Sequence, residues 1–174
     1  MRKLSLSELN RVDVEQYKKS EKKPIICVLD NVRSKHNVGS IFRTCDAFLV
    51  EELHLCGLTP LPPDKDITKT ALGATGSVCW KHYKDTKQSI LELKDKGYLI
   101  VCVEQTTESI DIYNFKNPKM RPIALVLGHE VCGIDDEIIE ICDVSIEIPQ
   151  FGTKHSLNVS VAFGIVISKI FSFF

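Results

Sequence analysis

The chain has 174 residues, a length that fits one domain with a substantial core. Its composition, 44% hydrophobic and 26% charged, is that of an ordinary soluble globular protein and excludes a disordered or membrane-embedded chain. The net charge of −1 does not by itself indicate a nucleic-acid-binding protein.

The apolar pattern predicts an α/β fold with a mainly parallel sheet and helices on both faces, since buried strands alternate with helices. Residues 1–23 are predicted to form a basic helical extension, and residues 24–174 the main domain. The predicted strands are 25–29, 53–56, 78–80, 98–103, 123–127 and 144–148. The predicted helices are 37–48 with Asn37 as N-cap, one or two turns in 68–73, 87–96, 135–141 capped by Asp135, and 157–171.

Charge is distributed unevenly along the chain. Residues 1–43 contain ten Lys and Arg against five Asp and Glu, so the remainder carries the net negative charge. The basic segment is either a surface for phosphates or a solvated Lys-rich face.

Seven cysteines without a C-x-x-C pair argue against a disulfide framework and against a zinc site. We predict buried free thiols in a reducing cytosol. The N-terminus lacks the apolar core of a secretory signal, and the apolar run 159–174 is shorter than the roughly 20 residues that span a bilayer. A cytoplasmic protein without a membrane span is therefore expected.

Three loops at the predicted carboxyl ends of strands hold most of the unusual polar residues: 30–43, 128–134 and 149–158. Ligands of open parallel sheets bind at this edge. In the last loop a strand ends in Pro and Gly, and Ser-Leu-Asn then begins an apolar helix. Ser156 and Asn158 suit helix capping, ligand binding or both.

The loops lack the common nucleotide-binding motifs. No G-x-G-x-x-G follows a strand, and residues 128–135 have P-loop glycine spacing without the required Lys and Ser or Thr. Glu130 would repel a phosphate, so it favours a ligand with positive charge or exposed donors, or else it caps the following helix. Ser156 beside His155 does not define a hydrolase, because adjacent residues at a helix start point in different directions.

The start of the first long helix carries Asn37, Gly39 and Arg43. Gly39 and Arg43 are four residues apart and share a helix face. The missing side chain at Gly39 allows a backbone or a ligand to approach closely. Arg43 either forms a surface salt bridge or binds a ligand.

Taken together, these segments resemble the SPOUT superfamily of RNA methyltransferases, in its SpoU/TrmH branch. Residues 37–43, Asn-Val-Gly-Ser-Ile-Phe-Arg, resemble the first motif, N-x-G-x-x-x-R. Residues 125–134 resemble the second, a strand ending in G-x-E-x-x-G. Residues 148–162 resemble the third, I-P-x-x-G-x-x-x-S-L-N-V-S-V-A. The resemblance covers residues 24–174, which would form a SPOUT methyltransferase domain.

The resemblance implies S-adenosylmethionine-dependent 2′-O-methylation of a ribose in RNA, without a metal ion. It also implies a deep trefoil knot in the C-terminal part of the sheet, a rare exception to un-knotted folds. A homodimer would form through the knot and the C-terminal helix, where Val161, Ile165 and Phe171 offer apolar surface. Transfer RNA is favoured over ribosomal RNA, because a long ribosomal footprint would need more RNA-binding surface than this chain offers.

Matching positions imply the roles of individual residues. Arg43 would bind an RNA phosphate and stabilise the developing alkoxide, since a guanidinium with a pKa above about 12 is a poor base. The implied catalytic group is Arg43, Asn37, Glu130, Ser156 and Asn158. The implied cofactor-binding residues are Leu127, Gly128, Glu130, Ile148, Gln150, Ser156 and Leu157.

Two positions depart from the family pattern: His129 stands where Ser or Asn is common, and Gln150 where Met is common. Both lie in or beside the implied cofactor pocket. Two other functions stay open, a non-catalytic RNA-binding or assembly protein on the same fold and a methyltransferase acting on a small molecule. The complete catalytic group argues against the first, and the basic N-terminal segment argues against the second.

Overall fold

The computed structural model describes residues 1–5 and 7–174. In that part of the chain the strands are β1 Lys23–Asp30, β2 Val50–Cys56, β3 Trp80–Tyr83, β4 Leu99–Val103, β5 Ile110–Asp111, β6 Ile123–Leu127 and β7 Val144–Glu147. The α-helices are α1 Val14–Lys19, α2 Lys35–Ala47, α3 Lys65–Ala71, α4 Thr86–Asp95, α5 Asp136–Ile141 and α6 Val159–Phe171, with short 3-10 turns at Ser7–Leu9 and Ala74–Gly76.

The strands form one sheet in the order β3-β2-β1-β6-β4-β7-β5, and all neighbouring strands pair in parallel. The interior strand β1 pairs with β2 on one side and with the central strand β6 on the other. Because every strand runs in the same direction, all the carboxyl ends meet at one edge of the sheet. The predicted parallel α/β fold is confirmed.

Alternate residues of β1 point to opposite faces of the sheet. Cys27 and Leu29 pack in a cluster that includes residues of α2, α3 and α6. Ile26 and Val28 pack in a second cluster, with residues of α4 and α5. The sheet therefore has helices on both faces, as predicted, and its strands read as continuous apolar runs because neither face meets water.

The helices α2 and α3 approach each other closely at Gly39. A Cβ atom at this position would overlap the Thr70 hydroxyl and the Ile67 carbonyl oxygen. The sequence predicted that a backbone or a ligand comes close to Gly39, and the structure identifies the backbone of α3. Gly39 is thus needed for helix packing.

Both predicted N-caps need correction. Helix α2 begins two residues earlier than predicted, and Ser34 is its N-cap, with its hydroxyl accepting a hydrogen bond from the Asn37 N–H (3.3 Å). Asp135 precedes α5, but its side chain makes no capping hydrogen bond. Its main-chain N–H instead donates to Asp30 Oδ2 (3.2 Å), so Asp135 is held by the end of β1.

The predicted strand 78–80 lies too early in the chain, because residues 78 and 79 are outside the sheet and β3 runs from Trp80 to Tyr83. Strand β5 was not predicted, since two residues are too few to show a period. Within residues 1–23, which were predicted to form a helical extension, the structure contains α1. Its Tyr17 is buried and donates from its hydroxyl to the Cys45 carbonyl (3.5 Å).

All seven cysteines are free thiols, but the prediction that they are buried is wrong for Cys79 and Cys132, which are exposed, and Cys142 is only partly buried. The other four lie in the core. Of the helices in residues 1–5 and 7–174, none is both long enough and apolar enough to cross a membrane.

Candidate ligand pocket and its supporting residues

A pocket of about 690 Å³ lies at the carboxyl ends of β4, β6 and β7. This is the edge of the sheet at which open parallel sheets bind ligands. Its walls come mainly from residues 103–105, 127–134, 146–150 and 155–159. All seven residues predicted to bind a cofactor line it: Leu127, Gly128, Glu130, Ile148, Gln150, Ser156 and Leu157.

The pocket lining is acidic. It includes the carboxylates of Glu104, Glu130, Asp136 and Glu147, and no Lys or Arg is among the described residues that line it. Such walls attract a cationic ligand and repel a phosphate tail. The preference for a positively charged ligand, which the sequence predicted from Glu130 alone, therefore applies to the pocket walls together.

Much of the main chain in 149–157 is free to bind a ligand. In the described structure, the hydrogen bond of this segment is the one that the His155 carbonyl accepts from Gln105 Nε2 (2.8 Å). Ser156 and Leu157 are exposed at the pocket wall. Main-chain donors and acceptors without protein partners suit a ligand that is recognised largely through the backbone.

Glu130 connects the pocket to the start of α2. Its carboxylate accepts hydrogen bonds from the main-chain N–H groups of Arg33 (3.0 Å) and Ser34 (2.9 Å) and from Asn37 Nδ2 (2.9 Å). Burial disfavours the charged form, but these donors outweigh it and hold the pKa of Glu130 below its ordinary value. Glu130 does act at a helix N-terminus, although at α2 rather than at the following helix.

Asn37 extends this connection to α6. Its Oδ1 accepts a hydrogen bond from Asn158 Nδ2 (3.0 Å), while Asn158 Oδ1 accepts from the main-chain N–H groups of Ser160 (3.0 Å) and Val161 (3.3 Å). Asn158 is thus the N-cap of α6. A chain of side-chain contacts, Glu130 to Asn37 to Asn158, joins the three motif segments.

Arg43 lies apart from this chain of contacts. Its side chain is exposed on α2, and Arg43 is not among the residues that line the pocket. The salt-bridge interpretation is wrong, because in the described part of the chain Arg43 takes part in no ion pair. The guanidinium is therefore free to meet an outside group.

Gly128 is required by the close fit of its own loop. A Cβ at Gly128 would overlap the main chain of Gly133 and Ile134. The two glycines of the second motif thus pack backbone on backbone. This contact, rather than phosphate binding, explains their P-loop-like spacing.

The pocket also contains residues that the sequence argument missed. Val103, Glu104 and Gln105 directly follow β4 and form one wall. Glu104 Oε2 accepts from the Ile134 N–H (3.2 Å), which ties this wall to the second motif. The missed signal was a polar pair directly after a buried strand, the same pattern that selected the other loops.

The fold and the pocket define a doubly covered parallel α/β protein with a ligand site at the carboxyl edge of its sheet. Residues 24–168 match the SpoU rRNA Methylase family, and the chain belongs to that family. The match spans the three motif segments and the strands that carry them.

Two relatives illustrate the similarity of this chain to known enzymes. The chain is 37% identical over 149 residues to a tRNA (guanosine(18)-2′-O)-methyltransferase of Aquifex aeolicus, covering 83% of this chain and 67% of that protein. It is 33% identical over 152 residues to a 23S rRNA (guanosine-2′-O-)-methyltransferase of Neisseria meningitidis, covering 84% of this chain and 57% of that protein. The chain thus spans little more than half of the second relative.

A solved structure has the same fold. The A. aeolicus TrmH/SpoU tRNA modifying enzyme superposes with a TM-score of 0.80 at 32% identity, covering 91% of this chain and 79% of that one.

Proposed function

We propose that the protein transfers a methyl group from S-adenosylmethionine to the 2′-hydroxyl of a ribose in RNA. The observation that carries the proposal is that all seven implied cofactor residues line one pocket. The contacts from Glu130 to Asn37 to Asn158 join that pocket to α2, the helix that carries Arg43.

The pocket fits the proposed cofactor in size and in charge. Its volume of about 690 Å³ lies within the usual range of small-molecule sites. S-adenosylmethionine carries a sulfonium and an ammonium against one carboxylate, so acidic walls without Lys or Arg favour it over a phosphate-bearing nucleotide. The free main chain of 149–157 is suited to its adenine and ribose, and Leu157 offers an apolar contact.

When bound, the cofactor supplies an already activated methyl group. The protein therefore mainly positions the 2′-hydroxyl and assists the loss of its proton. Ser156, exposed at the pocket wall, is suited to orient the ribose. Three polar residues hydrogen-bond to one another and to helix N-termini, and they therefore act as positioning residues: Glu130, Asn37 and Asn158. Arg43 binds the RNA phosphate and stabilises the developing alkoxide from outside the pocket.

The proposed substrate is RNA, with transfer RNA preferred. One of the two relatives is a transfer-RNA methyltransferase and the other is a ribosomal-RNA methyltransferase. On this chain, Arg33 is exposed just before α2 and Arg43 is exposed on α2, the helix that Glu130 and Asn37 join to the pocket. These guanidiniums are suited to phosphates.

We further propose that the C-terminal part of the sheet is knotted and that two copies associate through the knot and α6. The sheet order supports the first point, since β6 lies between β1 and β4 and β7 between β4 and β5. Exposed apolar side chains around the start of α6 support the second: Phe151, Leu157 and Val161.

Titration with S-adenosylmethionine, followed by methyl transfer to transfer RNA and to ribosomal RNA, tests the proposal. We expect micromolar cofactor binding and 2′-O-methyl groups at a defined nucleotide, mapped by mass spectrometry. Absence of binding would instead support a non-catalytic RNA-binding protein. Methylation of free nucleosides but not of RNA would support a small-molecule enzyme.

A further inference from the structure

His129 stands at the base of a short closed loop in the pocket wall. Its N–H donates to the Gly133 carbonyl and its carbonyl accepts from the Gly133 N–H, both at 2.9 Å. Residues 129–133 therefore form a loop whose two ends are bonded to each other. The carboxylate of Glu130 leaves this loop toward the start of α2.

The His129 side chain fills the inside of the loop with a hydrogen-bond acceptor. Its Nδ1 accepts from the main-chain N–H groups of Val131 (3.0 Å) and Cys132 (3.2 Å). A ring nitrogen that accepts needs a lone pair, so the imidazole must be neutral and carry its proton on Nε2. An imidazolium donates from both nitrogens and would face two N–H donors without an acceptor.

We infer that neutral His129 is a positioning residue: its Nδ1 holds the Val131 and Cys132 N–H groups in place and so shapes the wall of the cofactor pocket. The identity of the ligand rests on the proposed function, whereas the loop contacts do not.

Calorimetric titration with S-adenosylmethionine at neutral pH tests this role. His129→Asn keeps an oxygen that can accept from the same two N–H groups, whereas His129→Leu has no acceptor. Losing two main-chain hydrogen bonds corresponds to roughly tenfold weaker binding, so we expect His129→Leu to bind about tenfold more weakly than the wild type and His129→Asn to keep nearly the wild-type affinity.

The control is His82→Asn, a change on the edge strand β3 away from the pocket, which should keep the wild-type affinity. The inference is overturned if His129→Leu binds as well as the wild type. It is equally overturned if His129→Asn binds as weakly as His129→Leu.

A ligand-free measurement separates this inference from the proposed function. Nitrogen NMR of labelled histidines should show His129 as the Nε2–H tautomer at neutral pH, and the Val131 and Cys132 amides should exchange more slowly in the wild type than in His129→Leu. An Nδ1–H tautomer overturns the inference whatever the ligand. If the wild type fails to bind S-adenosylmethionine while the tautomer is as expected, the proposed function fails and the loop contact stands.

Discussion

Both oxygens of Glu130 accept hydrogen bonds from the start of α2, so this carboxylate fixes the position of α2 relative to the pocket wall. Glu130→Gln should lower the free energy of unfolding by about 1–2 kcal/mol at neutral pH, because an amide NH₂ placed against main-chain N–H groups cannot accept. Denaturant unfolding measures the change. Glu21→Gln, at an exposed position, is the control and should stay within about 0.5 kcal/mol of the wild type.

The effect of Glu130→Gln should depend on pH. The fold lowers the pKa of Glu130, so the carboxylate contributes stability above its ordinary pKa of about 4.3 and loses that contribution as the pH falls through the lowered value. The difference between wild type and variant should therefore shrink steadily below about pH 4. A difference that stays constant from neutral pH to about pH 3 would rule out a role for the charge.

A substitution of Arg43 should affect methyl transfer to RNA without affecting cofactor binding. Because it is exposed and does not line the pocket, Arg43→Lys should leave the affinity for S-adenosylmethionine unchanged. Methyl transfer to RNA should fall at least about tenfold, since Lys keeps the charge but loses the planar fork that grips a phosphate. Single-turnover assays and cofactor titration measure the two effects, with Arg11→Lys as an exposed control. Near-wild-type turnover would remove Arg43 from the proposed mechanism.

Elements with continuous apolar runs were predictable from the sequence, and the exceptions have physical causes. Strand β1 is buried on both faces and was placed to within two residues. Strand β3, Trp-Lys-His-Tyr at a sheet edge, is half polar and shows no such run. The cap of α2 was misassigned because Ser34 and Asn37 are both good N-caps. The contacts with Glu130 and Asn158, both distant in the sequence, decide that the Asn37 side chain points elsewhere.

The packing of α2 against α3 depends on the missing side chain at Gly39. Gly39→Ala should destabilise the fold by about 1–3 kcal/mol, the usual cost of forcing an extra carbon into a packed contact, despite the better helix propensity of Ala. The control is Gly76→Ala, where a Cβ would meet open space and stability should change by less than about 0.5 kcal/mol. Thermal or denaturant unfolding measures both. Equal stabilities for the two variants would contradict the observed helix contact.

At the scale of the molecule, the site could be predicted only in part, because the local hydrophobic pattern of the sequence does not determine which strands are neighbours in the sheet. The resemblance supplied the residues of the second and third motifs, and the structure places them in one pocket. Glu104 became part of that pocket only because β4 lies between β6 and β7 in the sheet. Neither period nor composition fixes that order, so a polar pair after β4 could be noticed but not assigned to this site.

The resemblance implied a dimer surface on the C-terminal helix, and side-chain exposure along α6 limits which part of the helix could form the proposed surface. Phe171 is partly buried, with its ring centroid 5.5 Å from that of Phe48, so part of its apolar surface is already covered within the chain. Val161 is 52% exposed and Phe151 97% exposed near the start of α6. The apolar surface available to a second copy is therefore at the pocket end of the helix.

Val161→Glu should convert the proposed dimer into a monomer, because a stable interface buries apolar surface over about 1,000 Å² or more and a desolvated unpaired carboxylate opposes it. Sedimentation equilibrium of the wild type and the variant measures the change. Val12→Glu is the control, since Val12 is similarly exposed at 58% but lies in the N-terminal segment, and it should remain dimeric. If the wild type itself sediments as a monomer, association through α6 is wrong. If Val161→Glu stays dimeric, the contact surface lies elsewhere.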